Sequence, residues 1–294
     1  MNDRDCVGFL QWSLPRLHLR WQGFRKVRGQ VCKRIDRRLR ELGLPDAAAY
    51  RMFLEANDAE WAMLDSLCGV TISRFYRDQE VFRFLEQEVL VTLSEEALAR
   101  GESELRCWSI GCSSGEEPYT LALLWDLVMT RRFPALSLTI LATDFDQTMI
   151  RRAEEGCYKS GSFAGLPEEW RKLAFRRTGE LACIRDEERS RVAFLLQDIR
   201  KAAPENRFHL VLCRNLALTY FDTALQQEVL ARISERLSPG GAFMTGIHES
   251  LPTGCRAFKP WPGGRGIYRK EASEGDAGRP DGFGEDCYRI SRLR

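Results

Sequence analysis

One segment constrains the fold more than any other, because it joins a buried strand to a helix through two glycines. The apolar run Leu105–Ile110 ends at Gly111, small residues follow as far as Gly115, and a helix opens with Glu116–Pro118. Glycine permits a sharp turn and a close approach of a ligand to the backbone. Proline is well placed in a first helical turn. The segment therefore predicts a strand–turn–helix unit that borders a binding site.

Strands and helices alternate from about residue 100 to residue 270. This alternation predicts an α/β domain with a Rossmann-like, mostly parallel sheet and helices on both faces. Residues 156–191 are too long for a simple connection and are predicted to form a small insert. Residues 271–294 are polar and rich in glycine, and are predicted to be a disordered tail. The predicted strands are Leu105–Ile110, Leu138–Ala142, Val192–Leu196, Phe208–Cys213, Ala242–Ile247 and Ile267–Lys270.

Residues 1–93 are predicted to be a small all-helical domain that precedes the sheet. Apolar residues recur every three or four positions from Phe24 to Leu42, which indicates one helix that ends at Gly43. Three further helices are predicted over Ala47–Glu55, over Ala59–Leu67 and, with Asp78 as the N-cap, over Val81–Leu90.

The first long helix carries an excess of cations on its other faces. Such a stripe is consistent either with a solvated face or with a surface that binds an acidic protein. Aromatic residues are not interleaved with the cations, so no nucleic acid partner is expected. The cations are Arg25, Lys26, Arg28, Lys33, Arg34, Arg37, Arg38 and Arg40.

Composition narrows the class of protein. The chain has 294 residues and a formal net charge of +2, so it is not a binder of polyanions as a whole. No run approaches the roughly 20 apolar residues of a membrane span, so we expect no membrane insertion and a cytoplasmic location. The ten cysteines are scattered without a Cys-x-x-Cys pair, and we interpret them as free thiols in a reducing compartment. None of the three histidines is spaced to join a cysteine pair, so no metal site is expected.

The helix after Gly115 opens with two carboxylates, and carboxylates disfavour a phosphate at a helix start. A ligand with hydroxyl groups or positive charge suits this turn better. S-adenosylmethionine has a cationic sulfonium, a cationic amino group and no phosphate, and is therefore the cofactor we predict. The alternative interpretation is an ordinary strand–helix turn, since glutamate stabilises helix starts in any case.

Polar residues follow three more of the predicted strands. Asp144 comes after the second strand, where open α/β sheets place the acid that binds a ribose, and Asp146 is the candidate N-cap of the next helix. Asp198 follows the third strand and is a candidate acceptor for an adenine amino group. Arg214 and Asn215 follow the fourth strand, so they too are candidate cofactor contacts at the same edge. The alternative for Arg214 is a surface salt bridge.

Taken in order, these segments resemble the CheR-type chemotaxis receptor methyltransferases from about residue 20 to residue 270. The resemblance implies an S-adenosylmethionine-dependent methyltransferase domain preceded by a helical domain. It implies methyl transfer to receptor glutamates, with glutamate methyl esters and S-adenosylhomocysteine as products. The segments that match are Arg37–Gly43, Thr71–Asp78, Gly111–Tyr119, Ala142–Asp146, Cys213–Asn215, Tyr220–Asp222, Leu237–Gly241 and His248–Leu251.

The resemblance also implies roles for single residues. Arg77 and Tyr220 correspond to positions beside the reacting centre, and the insert at 156–191 corresponds to a small antiparallel subdomain that can touch the receptor. The basic helix faces the acidic receptor in this family, so the candidate partner-binding residues are Arg34, Arg37, Arg38 and Arg40. By position, the family's cofactor contacts correspond to Thr71, Ser73, Arg77, Glu117, Asp144, Asp198 and Asn215.

Two alternatives keep this fold and change the activity. One is a CheR-like module that binds the cofactor for regulation, and the other is a methyltransferase that acts on a protein outside chemotaxis. A nucleic-acid methyltransferase is disfavoured, because the sequence has no Asn-Pro-Pro-Tyr-like base-flipping motif.

Overall fold

The computed structural model describes residues 2–271, so the predicted tail lies outside the described residues from position 272 onward. The helices are Asp3–Ser13 (α1), Trp21–Phe24 (α2), Arg28–Glu41 (α3), Ala47–Ala56 (α4), Asp58–Cys68 (α5), Gln79–Phe84 (α6), Leu90–Ala99 (α7), Glu116–Leu124 (α8), Thr130–Arg132 (α9), Gln147–Glu155 (α10), Glu168–Ala174 (α11), Asp186–Arg189 (α12), Ala217–Tyr220 (α13) and Thr223–Arg236 (α14). The strands are Glu104–Ile110 (β1), Ser137–Asp144 (β2), Cys157–Tyr158 (β3), Phe175–Thr178 (β4), Leu181–Ile184 (β5), Val192–Leu196 (β6), Phe208–Leu212 (β7), Leu237–Met244 (β8), Phe258–Pro260 (β9) and Ile267–Lys270 (β10).

Within residues 2–271, seven strands form one sheet in the order β6-β2-β1-β7-β8-β10-β9. The pairs from β6 through β8 are parallel, whereas β10 runs antiparallel to both β8 and β9. The mostly parallel Rossmann-like sheet is therefore confirmed. Because parallel strands end at one edge, the carboxyl ends of β6, β2, β1 and β7 lie side by side along a common crevice.

Apolar side chains cover both faces of this sheet, and the helices before residue 100 divide between the faces. One cluster contains Leu85 from the π-helical segment between α6 and α7 together with Tyr119 of α8. The other joins Phe9 of α1 and Tyr50 of α4 to Trp108 of β1. The helical region therefore shares its core with the sheet. Strand β1 lies between the two clusters, to which it contributes Leu105 and Cys107 on one face and Trp108 and Ile110 on the other.

The first long helix of the prediction is interrupted. Helix α2 ends at Phe24, a turn occupies Arg25–Val27, and α3 begins at Arg28. Phe24 packs edge-on against Tyr220, at a ring-centroid distance of 5.1 Å. The spacing of three or four residues persists across the turn, so periodicity alone could not reveal the break. On α3 the buried residues are Val31, Ile35 and Leu39.

Asp78 does not cap the next helix in the predicted way. It stands directly before α6, but its φ of 63° is left-handed and its side chain makes no capping hydrogen bond. Its carboxylate accepts a hydrogen bond of 2.6 Å from Nη2 of Arg214, which is 136 residues away in sequence. A guanidinium is a stronger partner for a carboxylate than a backbone N–H is. Sequence spacing gives no sign of so distant a partner, which is why this prediction was wrong.

The insert contains a three-stranded antiparallel sheet in the order β3-β5-β4. Cys157 of β3 and Cys183 of β5 lie directly opposite each other and form a disulfide. A second disulfide joins Cys6 of α1 to Cys32 of α3. The expectation that every cysteine is a free thiol is therefore wrong. The partners in each pair are 26 residues apart and meet only in the folded chain, so their spacing in the sequence does not reveal them.

Two further observations bear on the class of protein. No helix of the described residues combines the length and the apolar character that crossing a bilayer requires. Over the same residues, no three or more His, Cys, Asp and Glu side chains are grouped so that they could hold a metal ion.

A partly buried ion pair joins α3 to α5. Nε and Nη2 of Arg38 donate to the two carboxylate oxygens of Glu60 at 2.9 and 2.8 Å, and Tyr50 donates its hydroxyl to Glu60 at 2.8 Å. The Glu60 side chain is only 7% exposed. The hydrogen bonds from Arg38 hold the pKa of Glu60 below its ordinary value of 4.5, against the opposing effect of burial.

We expect Glu60→Gln to lower the free energy of unfolding by about 2–3 kcal/mol at neutral pH, because it removes charge-assisted hydrogen bonds. A depressed pKa means that this stabilisation is present above the ordinary pKa and is lost as the pH falls through the folded-state pKa. The difference in free energy of unfolding between the wild type and the variant should therefore become smaller below about pH 4.5. Urea unfolding at pH 7 and pH 3 measures both effects.

The matched control is Glu41→Gln, since Glu41 also pairs with Arg38 but is 54% exposed. Exposed pairs contribute little, so we expect a loss under about 1 kcal/mol. Equal losses for the two variants would contradict the account.

Candidate active site

A cavity of about 410 Å³ opens at the crevice where β6, β2, β1 and β7 end. Helix α2 and residues 65–77 cover its other side. All residues predicted to contact the cofactor or the reacting centre line this one cavity. They are Thr71, Ser73, Arg77, Glu117, Asp144, Asp198, Arg214, Asn215 and Tyr220.

The turn after β1 is as tight as its glycines predict. Gly111 has a φ of 69°, and its backbone N–H and that of Cys112 both donate to the carbonyl of Thr143 on the neighbouring strand. A Cβ on Gly111 would lie 2.6 Å from Cδ2 of Leu216, so any other residue would push that side chain away. The turn is thereby held against β2 and against the loop after β7.

Asp144 is fixed at the end of β2 by two backbone donors. Ser113 donates to its Oδ2 at 2.8 Å and Asp146 donates to its Oδ1 at 2.9 Å. The side chain is buried, and burial raises the pKa of Asp144 above its ordinary value, while the N–H groups of Asp146 and Ser113 act in the opposite direction. Asp146 caps α10 by accepting from the N–H of Thr148, as predicted.

Arg214 is a buried junction between two walls of the cavity. Its Nη1 donates to Oε2 of Glu117 at 3.1 Å, and its Nη2 donates to Oδ2 of Asp78 at 2.6 Å and to the carbonyl of Arg77 at 3.1 Å. The side chain is 2% exposed and its guanidinium carbon lies 5.1 Å from the ring centroid of Phe82. The alternative predicted for Arg214 was a surface salt bridge; Arg214 does form salt bridges, but its side chain is buried.

Glu117 is held from both sides. Ser109 of β1 donates its hydroxyl to Oε1 at 2.8 Å, opposite the contact from Arg214. Its neighbour Glu116 is buried and accepts from the hydroxyl of Ser114. The start of α8 therefore presents carboxylates, as the sequence predicted, and Glu117 is the one that lines the cavity.

The segment between α5 and α6 has no regular secondary structure, and residues 69–74 together with Arg77 line the cavity. Arg34 of α3 fixes the start of this segment by donating to the carbonyl of Gly69, and its Nη2 lies 3.5 Å from Oγ1 of Thr71. Farther along, the backbone N–H of Tyr76 donates to Oγ1 of Thr120 on α8 at 3.0 Å, and Tyr76 has a left-handed φ of 53°. Within residues 2–271, the side chain of Arg77 donates one hydrogen bond, of 3.3 Å from Nη1 to the carbonyl of Ile72.

Asn215 takes a left-handed φ of 54° and donates its backbone N–H to Oε2 of Glu249 at 2.8 Å. Glu249 also accepts from the N–H of Gly246 and the hydroxyl of Thr219. Sequence reasoning gave Glu249 no role, although it lies in a segment that matched the family. It fixes the loops after β7 and β8 beside the cavity.

Tyr220 lies on α13, which packs directly on α2. Leu19 pairs with Phe221 in an antiparallel bridge, and the N–H of Arg20 donates to the carbonyl of Tyr220 at 2.8 Å. A Cβ on Gly23 would lie 2.3 Å from the carbonyl oxygen of Thr219, so only glycine allows this approach. Burial raises the pKa of Tyr220 above its ordinary value. Residues 19–23 thus hold α13, and with it Tyr220, in place beside the cavity.

The structure divides the four arginines predicted to bind the partner. Arg34 and Arg38 are partly buried and bind groups of the chain itself. Arg37 is exposed, and Arg40 is 75% exposed with a weak pairing to Asp36. Only Arg37 and Arg40 therefore present their charge chiefly to solvent.

The donor set of the cavity suits S-adenosylmethionine. A fixed carboxylate such as Asp144 suits the two hydroxyl groups of a ribose, and the ammonium group of the amino acid end is compatible with Glu117. A volume of about 410 Å³ falls within the usual range for ligand sites. The fold and this cavity together define a Rossmann-like methyltransferase.

Comparison with known proteins gives the family. Residues 71–267 match the family model described as CheR methyltransferase, SAM binding domain. The chain therefore belongs to the CheR methyltransferase family, and its cofactor is S-adenosylmethionine.

Several curated proteins are similar over most of the chain. The chemotaxis protein methyltransferase of Salmonella typhimurium is 30% identical over 242 residues, which cover 79% of each chain. That of Listeria innocua is 34% identical over 186 residues, or 63% of this chain and 68% of the relative. The 104.1 kDa protein of the hypE 3' region of Rhodobacter capsulatus is 32% identical over 223 residues, and this chain spans only 23% of its length.

Among solved structures, the N-methyltransferase NodS of Bradyrhizobium japonicum with S-adenosyl-L-homocysteine aligns over 58% of this chain and 63% of its own, at 15% identity. The TM-score of 0.32 is too low for that alignment to carry an argument.

We expect Arg214→Met to lower the free energy of unfolding by about 3–5 kcal/mol, because Glu117 and Asp78 would lose a buried counter-charge. Cofactor affinity should fall as well, since both walls of the cavity lose their common support. Urea unfolding and calorimetric titration with S-adenosylhomocysteine measure the two effects. The control Arg40→Met removes an exposed charge and should change stability by less than about 0.5 kcal/mol. A stable Arg214→Met protein would show that the junction is dispensable.

Proposed function

We propose that this protein is a protein-glutamate O-methyltransferase that methylates carboxylates of a chemoreceptor. The observation that carries the proposal is the cavity at the sheet edge, in which a fixed carboxylate for a nucleoside and a loosely bound arginine lie together. Membership of the CheR family and the names of the relatives in Salmonella and Listeria support it.

Residues on three sides of the cavity bind the cofactor in this proposal. Asp144 accepts from the ribose hydroxyls, and Glu117 with Asn215 holds the amino acid end. Thr71 and Ser73 close the cavity from the covering segment, and Asp198 lies at the base end. Arg214 acts on the cofactor through Glu117, since its guanidinium is occupied by that carboxylate and by Asp78.

The chemistry requires little acid–base work from the protein. When bound, S-adenosylmethionine supplies an electrophilic methyl group on a sulfonium. The accepting glutamate of the partner is ionised at neutral pH, since its reference pKa is about 4.3, so no general base is required. Arg77 holds the incoming carboxylate and Tyr220 lines the path to it. Positioning of this kind can lower the free-energy barrier of a reaction by roughly 7–11 kcal/mol.

An acidic protein surface is the partner that the exposed charges favour. Lys26 and Arg74 are exposed and line the cavity together with Arg77, so its opening is cationic. Arg37 and Arg40 extend positive charge along α3. Such a distribution attracts carboxylate-rich surfaces and accelerates encounter at low salt. A cytoplasmic location, where the methylated region of a receptor would be accessible, belongs to the same proposal.

A transfer assay tests the function directly. Purified protein is incubated with methyl-tritiated S-adenosylmethionine and membranes that contain candidate chemoreceptors. We expect label on the receptor band that is released as methanol by mild base, since esters are base-labile. Base-stable label would contradict the glutamate ester, and normal cofactor binding without transfer to any protein would favour the regulatory module.

We expect Arg77→Ala to lower kcat/KM for methyl transfer about 10- to 100-fold, because one charge-assisted hydrogen bond to the incoming carboxylate is lost. The same change should leave the unfolding midpoint nearly unaltered, since the Arg77 side chain donates one long hydrogen bond within the described residues and the contact of its carbonyl with Arg214 is retained. The control is Arg131→Ala, which removes an exposed cation outside the cavity. Equal rates for the wild type and Arg77→Ala proteins would remove Arg77 from the reacting centre.

A further inference from the structure

The insert contacts the segment that carries Arg77 on both sides of that residue. The backbone N–H of Phe75 donates to the carbonyl of Ser162 at 2.9 Å, and Nε2 of Gln79 donates to the carbonyl of Gly165 at 2.7 Å. Phe75 lies two residues before Arg77, and Gln79 lies two residues after it. Both acceptors lie in the insert, three residues apart, so one short loop holds the chain on either side of Arg77.

Gly165 lies unusually close to that chain. A Cβ at this position would lie 2.8 Å from the carbonyl oxygen of Phe75 and 3.0 Å from that of Tyr76. The φ of Gly165 is not left-handed, so conformational freedom is not what requires glycine here. Glycine is required because no side-chain atom fits between the loop and the segment, and close approach of two backbones is a common reason for glycine.

Aromatic packing joins the same segment to the insert. The ring of Phe75 stacks on that of Phe163 at a centroid distance of 5.1 Å, and it meets the ring of Tyr158 edge-on at 4.8 Å. Tyr76 meets Trp170 edge-on at 5.5 Å. Contacts of this kind give aromatic rings a defined orientation as well as apolar burial. The two residues that precede the arginine proposed to bind the substrate are thus packed against the insert.

The place of the Arg77 side chain depends on its backbone. Within residues 2–271 this side chain donates one hydrogen bond, of 3.3 Å, to the carbonyl of Ile72. Its backbone is held more firmly, because Arg214 donates to the carbonyl of Arg77 at 3.1 Å and the insert holds the residues two positions away. The insert is therefore one of the anchors that decide where the guanidinium lies in the cavity.

We infer that Gly165 is a positioning residue for methyl transfer, and that the insert places Arg77 through the loop Ser162–Gly165. The inference rests on the proposed role of Arg77 as the group that binds the incoming carboxylate. A side chain at position 165 pushes the backbone of Phe75 and Tyr76 away from the insert, and Arg77 moves with it. A misplacement of about 1 Å can lower a rate by about 100-fold, so a smaller shift is sufficient for a measurable loss.

The test is a double-mutant cycle on methyl transfer to receptor-containing membranes. Gly165→Ala is introduced into the wild type and into Arg77→Ala. Active sites are counted by calorimetric titration with S-adenosylhomocysteine, so that unfolded protein does not affect the measured kcat/KM. The control is Gly161→Ala in the same insert, since a Cβ there would have no heavy atom within 4 Å. Gln79→Ala, at an exposed residue, removes the hydrogen bond to Gly165 and serves as an independent variant.

We expect Gly165→Ala to lower kcat/KM about tenfold in the wild type but less than about twofold in the Arg77→Ala background, because residues that act through one another are not additive. Gln79→Ala should show the same non-additivity with a smaller loss, about two- to fivefold in the wild type. Gly161→Ala should keep the rate of its parent protein in both backgrounds.

The inference is overturned if Gly165→Ala keeps the wild-type kcat/KM, or if it causes the same loss in the Arg77→Ala background as in the wild type. If Gly165→Ala does not fold, Gln79→Ala is judged by the same two criteria. A wild-type protein that methylates no receptor would refute the proposed function, and this inference with it.

Discussion

The buried guanidinium of Arg214 is the interaction on which the rest of the site depends. It is shared between Glu117, at the start of the helix after β1, and Asp78, at the end of the covering segment. Two partly buried carboxylates would repel each other and would be poorly solvated without a cation between them. The same guanidinium binds the backbone of Arg77. The Arg214 side chain therefore sets the distance between Glu117, at the start of α8, and Arg77, which is proposed to bind the substrate carboxylate.

Specific contacts also hold several residues of this site in strained backbone conformations. Tyr76, Asp78, Ser113 and Asn215 all have left-handed φ angles although none is glycine. Each is compensated by a specific partner nearby, such as the hydroxyl of Thr120 for the N–H of Tyr76 and the carboxylate of Glu249 for that of Asn215. Unfavourable conformations of this kind persist where the surrounding contacts over-determine them, which is common around ligands.

Local patterns predicted much of this molecule. The strand Ile267–Lys270 has the predicted bounds, and the second strand was predicted within two residues at each end. The cap at Asp146 and the place of Asp144 at a strand end beside the cavity were also predictable, because strand ends and helix caps are local features. Residues that act through distant partners were not. The turn at Arg25–Val27 keeps the apolar spacing of a helix, so it could not be detected.

The partners of Arg214, Glu249 and the disulfide-bonded cysteines come from remote parts of the chain. Asp198 is charged and matched the family position, but its engagement by Arg200 is visible only in three dimensions. Sequence patterns therefore identified the edge of the sheet where the cavity opens, but not which side chains at that edge are already paired.

The contacts between the first residues and α13 have a consequence for biosynthesis. Arg20 donates through its side chain to the carbonyl of Thr219, 199 residues later in the chain. A ribosome adding roughly 5–20 residues per second would expose that partner some 10–40 s after Arg20. During this interval the aromatic ring of Phe24 lacks its contact with Tyr220, and the pocket lacks one side. The nucleoside site can thus be completed only after α13 has been synthesised, and residues 19–24 lack this contact until then.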